Sequence, residues 1–167
     1  MDTAPAPPST PPLTSGGPPV HPSTAAFRGH PLHPAVVPLP IGMLSAAAAS
    51  DLLGLATGDR FFGRASRWLI GGGIVSGVLA ALLGVVEFAT IRAARQPTGV
   101  AHGAGNATIL AMSAVSLLLR LRSGNRASLP AVALSAASAL ALAVTGWLGG
   151  ELSFRHRIGV PRPEAPQ

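Results

Sequence analysis

The sequence predicts an all-α membrane protein, a four-helix transmembrane bundle of two hairpins behind a Pro-rich tail. Three observations carry that expectation. Only 11% of the residues are charged, well below the roughly 25% usual in soluble domains. The mean hydropathy is +0.45. The charges gather in short clusters between four apolar runs, each long enough to cross a hydrocarbon core of roughly 30 Å.

Residues 1–27 are dense in Pro, Ser, Thr and Ala, with one charge at Asp2. Such a segment cannot bury enough apolar surface to offset its ordering entropy, so a disordered tail is expected. It has no basic n-region and no apolar h-region, so the first span itself is expected to act as the insertion signal. The transmembrane domain is expected over residues 28–160, followed by a short C-terminal tail, 161–167.

The first span is expected from about Ala35 to Ala56. Pro34, Pro38 and Pro40 crowd its start, where the first-turn amides lack helical partners anyway. Helical geometry should settle near Pro38, leaving His30 and His33 on a non-helical lead-in. Gly58-Asp59 closes the span, and loop one carries Arg60, Arg64 and Arg67. The second span, about Trp68 to Ile91, holds Gly73-x-x-x-Gly77 with Ala81 beyond, a small-residue stripe for close helix approach. The third runs from about His102 to Leu121, and Arg120, Arg122 and Arg126 are assigned to loop three. The fourth, about Leu129 to Leu152, repeats small residues at Ala133, Ala137, Ala141, Thr145 and Gly149. Trp68 and Trp147 suit an interfacial belt.

Four crossings put both tails on one membrane face. His30 and His33, Glu87, His102, Glu151 and His156 all fall on that face, whereas Asp51 and Asp59 belong to the opposite one. Each hairpin has a histidine at its entry (His33, His102) and a glutamate near its exit (Glu87, Glu151), as an internal duplication would produce. Arginine supplies all twelve basic residues. Six lie in loops one and three and six on the other face, so the positive-inside count is tied. The weakly charged tail favours the histidine face outside.

Two readings of this rim stay open. Ionisable groups beside hydrocarbon are costly and mark sites, relays or pairings. Neutral imidazole suits haem iron or a transition metal ion. The candidate ligands of a b-type haem are His30, His33, His102 and His156, and Glu87 or Glu151 could join them around a metal ion. Against this, interfacial histidine is often only an amphipathic headgroup-level residue. Glu151 also has Arg155 at i+4, and Glu87 has Arg92 and Arg95 nearby. Asp51 is expected to cap its helix or to pair with Arg60 or Arg64. A proton relay through Asp51 would lack a path. His21, within the tail, is given no role.

Several chemistries are excluded. There is no cysteine, so disulfides, thiolate metal sites and covalently attached haem are out. The sequence pI of about 11.9 does not signal a nucleic-acid binder, because the arginines are split among loops and form no stripe. Gly71-Gly72-Gly73 lacks the preceding strand and following Lys-Ser/Thr of a phosphate loop. No Ser-His-Asp arrangement can be argued from spacing, and His30-x-x-His33 lacks the zincin glutamate. No catalytic residue is assigned.

Gly29-His30-Pro31-Leu32-His33-Pro34, then Pro38-x-Pro40 and Asp51, resembles the opening of a bacterial family of four-helix membrane proteins of unknown function. Gly84-x-x-Glu87 is similar to the family's second-helix motif, and Ala101-His102 with Asn106 to its third-helix entry. Gly146-Trp147-Leu148-Gly149-Gly150-Glu151-Leu152 with Arg155-His156 is similar to its closing motif. Phe154 stands where a tyrosine is expected, which leaves that ring no phenolic proton. The resemblance covers about residues 28–160 and implies a multi-pass protein of the bacterial cell membrane. Some family members resemble partners of Rieske iron–sulfur or c-type cytochrome modules, which implies a redox association by analogy. The expected function is therefore a redox-associated subunit. The alternative is a non-catalytic scaffold that contacts a partner, lipid headgroups or, as a homo-oligomer, its own copies. A small-molecule transporter comes third, since four helices offer no buried polar path unless the protein oligomerises.

Overall fold

The computed structural model describes residues 19–123 and 128–160. The expected tail over residues 1–18, loop-three Arg126, and the C-terminal tail with Arg162 lie outside the described residues. Two short strands, β1 (Ala26–Phe27) and β2 (His30–Pro31), lead into a helical turn, α1 (Leu32–Val36). Four long helices follow: α2 (Pro38–Thr57), α3 (Arg60–Thr90), α4 (Pro97–Arg122) and α5 (Leu129–Gly150). Among the described residues, four helical segments, Leu32–Thr57 included, are long and apolar enough to cross a membrane. The four-helix transmembrane architecture expected from the sequence is present.

Local chemistry places the ends. The missing Pro38 amide breaks the ladder between α1 and α2, and His33 sits in a helical turn closed by the Val37 amide on its carbonyl, where a non-helical lead-in was expected. Gly58, at φ 71°, ends α2 in the left-handed conformation. The Asp59 carboxylate then accepts from the Phe61 amide at 2.8 Å and caps α3. Because α3 begins there, Arg60, Arg64 and Arg67 lie on a helix rather than in a loop. The Arg67 guanidinium stacks 5.3 Å from the Trp68 ring centroid. Arg120 likewise lies within α4.

Large apolar side chains point outward. Trp68, Val75, Leu82, Val85, Leu118, Leu140, Val144 and Trp147 are exposed, whereas the interior is built of Ala, Gly, Ser and a few Leu and Ile. That inversion is what a lipid solvent selects, since lipid tails leave Leu no reason to be inside. Leu44, Ile109 and Leu142 meet at mid-bundle. The bundle is a ring in which α2 packs on α3 and α5, and α4 packs on α3 and α5.

The two hairpins share one buried register. In α2 the buried positions Pro40, Leu44, Ala47 and Asp51 recur in α4 as Ile109, Ser113, Ser116 and Arg120. The step is 69 residues, and it also carries His33 onto His102. In α3 the buried Ser66, Ile70, Gly73, Gly77 and Ala80 recur in α5 as Ala131, Ser135, Ser138, Leu142 and Thr145. Both first helices run the same way, so the halves are parallel repeats about an axis along the bundle.

This register revises two sequence expectations. Ala133 and Ala137, expected to line a packing stripe, are exposed. A strict four-residue step turns about 40° per step around an α-helix, so such a stripe leaves the interface within a few turns. The same register makes Leu152, and not Glu151, the equivalent of Glu87.

Candidate functional site

The end of the bundle that carries both tails is roofed by chain from both termini. Residues 19–31 cross it, turning through Arg28-Gly29, both at positive φ, between β1 and β2. His21 forms a parallel bridge with Ile158. Its amide donates to Arg157 O at 3.0 Å, and its carbonyl accepts from the Gly159 amide at 2.8 Å. A disordered segment was expected up to residue 27, but residues 19–27 form part of this roof. Ile91, Ala94 and Ile158 supply its apolar underside.

Glu87, 7% exposed, is held from the roof. Ser23 Oγ donates to Glu87 Oε1, and Thr24 and Thr90 pair beside it at 2.6 Å. The expected partners Arg92 and Arg95 do not reach it. Arg95 instead donates to the carbonyls of Phe88 and Ala89, where unpaired helix-end oxygens offer acceptors. Glu151 pairs with Arg155 at 2.6 Å, as its spacing implies.

His33 and His102 occupy matched seats. His33 Nδ1 lies 2.8 Å from Ala80 O, and its ring packs over Gly84, where a Cβ would stand 3.2 Å from the imidazole. His102 Nδ1 lies 2.9 Å from Thr145 O, and its ring packs over Gly149, where a Cβ would stand 3.0 Å away. A carbonyl oxygen can only accept, so Nδ1 carries a proton in both rings, and in the neutral imidazole the lone pair is then on Nε2. Asn106 Nδ2 donates to His102 O at 2.8 Å and lies 3.3 Å from His102 Nε2. Val37 occupies the equivalent place beside His33 and offers no side-chain donor.

The other histidines stand apart. His30 is exposed on β2, and His156 lines an open cavity of about 520 Å³ with His21, Arg92, Arg95 and Arg155. Among the described residues, no three His, Asp or Glu side chains are gathered as a metal ion requires.

The opposite end holds a constellation that the sequence left unassembled. Arg120 Nη1 and Nη2 donate to Asp51 Oδ1 and Oδ2 at 2.9 and 2.6 Å, with both side chains 1% exposed. Ser135 Oγ accepts from Arg120 at 3.1 Å, and Ser116 Oγ lies 3.4 Å from Arg120 Nε. Asp51 was expected to meet Arg60 or Arg64, the nearest cations in sequence; it meets one 69 residues away, across the bundle. The signal was available, because the step that relates the two histidines also relates Asp51 to Arg120.

Four apolar-surfaced helices with polar groups at both ends define a multi-pass membrane protein seated in a lipid bilayer. Residues 29–162 match the family described as a predicted membrane protein (DUF2231), and the chain belongs to that family. No curated protein and no solved structure matches it.

Proposed function

We propose that this protein is a membrane redox subunit in which His33 and His102 bind a b-type haem between the two halves of the bundle. The observation that supports the reading is the paired tautomer. Backbone carbonyls of Ala80 and Thr145 accept from both Nδ1 atoms, which leaves the two Nε2 atoms, one from each repeat, as the ligand nitrogens, with the Asn106 amide 3.3 Å from that of His102. This outer-shell carbonyl contact is the usual way a metal-ligating imidazole is oriented. Two histidines suffice as axial ligands of haem, whereas zinc or copper needs three or four donors. Haem is therefore favoured over a bare ion. Glu87 and Glu151 already have partners, and His30 and His156 have no part in this pair. Bound haem would supply one-electron chemistry. The partner proposed for it, by analogy, is a Rieske-type or c-type cytochrome redox protein at the bacterial cell membrane.

One observation favours the scaffold alternative. Each imidazole also clasps the second helix of its own hairpin, and Asn106 stands beside His102 Nε2. Absorption spectra of the detergent-purified protein, oxidised and dithionite-reduced, with elemental analysis, separate the two. A Soret band with an α-band that sharpens on reduction is the expected result, lost in His33→Ala and in His102→Ala. A colourless, metal-free protein after haem-supplemented expression overturns the proposal and leaves the scaffold.

A further inference from the structure

Asp51 and Arg120 are equivalent positions of the two repeats, and they face each other across the repeat axis. A contact of that kind is self-complementary only if the two residues can satisfy one another. Two copies of the first hairpin joined about the same axis would set Asp51 against Asp51. Two copies of the second would set Arg120 against Arg120. Either arrangement buries like charges within a span, where even one uncompensated charge is costly. Elsewhere the buried register is permissive, since Pro40, Leu44, Ile70, Ile109 and Leu142 are apolar and the rest are small. The surroundings are differentiated in the same sense. Ser116 and Ser135 supply oxygens beside the guanidinium, while their equivalents on the carboxylate side are Ala47 and Ile70.

We propose that Asp51 and Arg120 are a pairing code between the two halves: the surface each half presents accepts a half of opposite charge, and its proper partner is the other hairpin of this chain or of a second copy. This proposal is independent of any cofactor at the histidine end. Polar groups used to fix register or partner in this way are the best-attested role for a buried ionic contact.

The test uses full-length chains with two different tags. Asp51→Arg carries two arginines on the axis and Arg120→Asp two aspartates. Expressed alone, each is expected to lose the monodisperse species seen for the parent in detergent. Co-expressed, the two are expected to recover it together as a dimer with exchanged hairpins, each tag retrieving the other, because both interfaces then join Arg to Asp. Co-expression of Asp51→Arg with the neutral chain Asp51→Asn/Arg120→Gln is expected to rescue nothing. In one chain, Asp51→Arg with Arg120→Asp is expected to restore the monomer, more fully when Ala47→Ser and Ile70→Ser return the two hydroxyls to the new arginine. Single variants as monodisperse as the parent overturn the proposal. So does failure of both the co-expressed pair and the serine-supplemented swap, or rescue by the neutral chain.

Discussion

The two ends of the bundle use the repeat axis in opposite ways. At the end holding Asp51 and Arg120, equivalent positions carry opposite charges and close on each other at 2.6 to 2.9 Å. At the roofed end, equivalent positions carry the same imidazole, and the rings do not bond to one another. Each is fastened to its own hairpin through Nδ1. Opposite groups about an axis complete themselves, whereas identical ones leave matching functions directed at something else. The first end therefore reads as assembly and the second as a candidate site.

Breaking the closed end should have the largest effect. Asp51→Ala or Arg120→Ala leaves one buried charge and should cost about 3–5 kcal/mol, read as lost thermal stability in detergent. Replacing both by Leu and Met should cost far less, and equal losses in single and double variants would contradict that account. At the roofed end, Gly84→Leu or Gly149→Leu puts a side chain where the imidazole lies. Each should unseat its ring and lower stability by about 1–3 kcal/mol. The same two variants sharpen the comparison, because on the haem proposal they also abolish the Soret band. Ser23→Ala should act locally: amides of residues 19–31 should exchange faster while the melting temperature moves little, since a roof strap opens without unfolding the bundle. Smallest is Arg155→Ala. Its pair with Glu151 is largely exposed, and its loss should change stability by no more than about 0.5 kcal/mol.

Among particular elements, legibility followed the range of the interaction. The Gly58-Asp59 stop, the proline-led start of α2 and the Glu151–Arg155 pair depend on neighbours within about one turn, and all were read from residue order. Arginine does not mark a loop here, because Arg60, Arg64 and Arg67 lie on α3 and can reach the headgroup layer from a helix by extending their long stems. Matching His33 to His102 succeeded, but matching Glu87 to Glu151 did not. A glutamate near each helix exit is a weak pattern, and one position around a helix is a rotation of about 100°. The roof was missed because its ordering comes from Ser23 on Glu87 and His21 against Ile158, contacts between distant parts of the chain.

By itself the sequence determined the class: four apolar runs, their caps, and a paucity of charge leave a chain that can satisfy its backbone in lipid only as helices. It also carries the family, whose model matches residues 29–162. Only the tertiary structure decided which charge meets which, and which backbone carbonyl each imidazole engages. Those outcomes depend on how each helix is rotated about its own axis. That rotation is set by packing among all four helices, as Gly73 against Leu44 and Gly77 against Leu110 make plain, and not by the order of residues along any one of them.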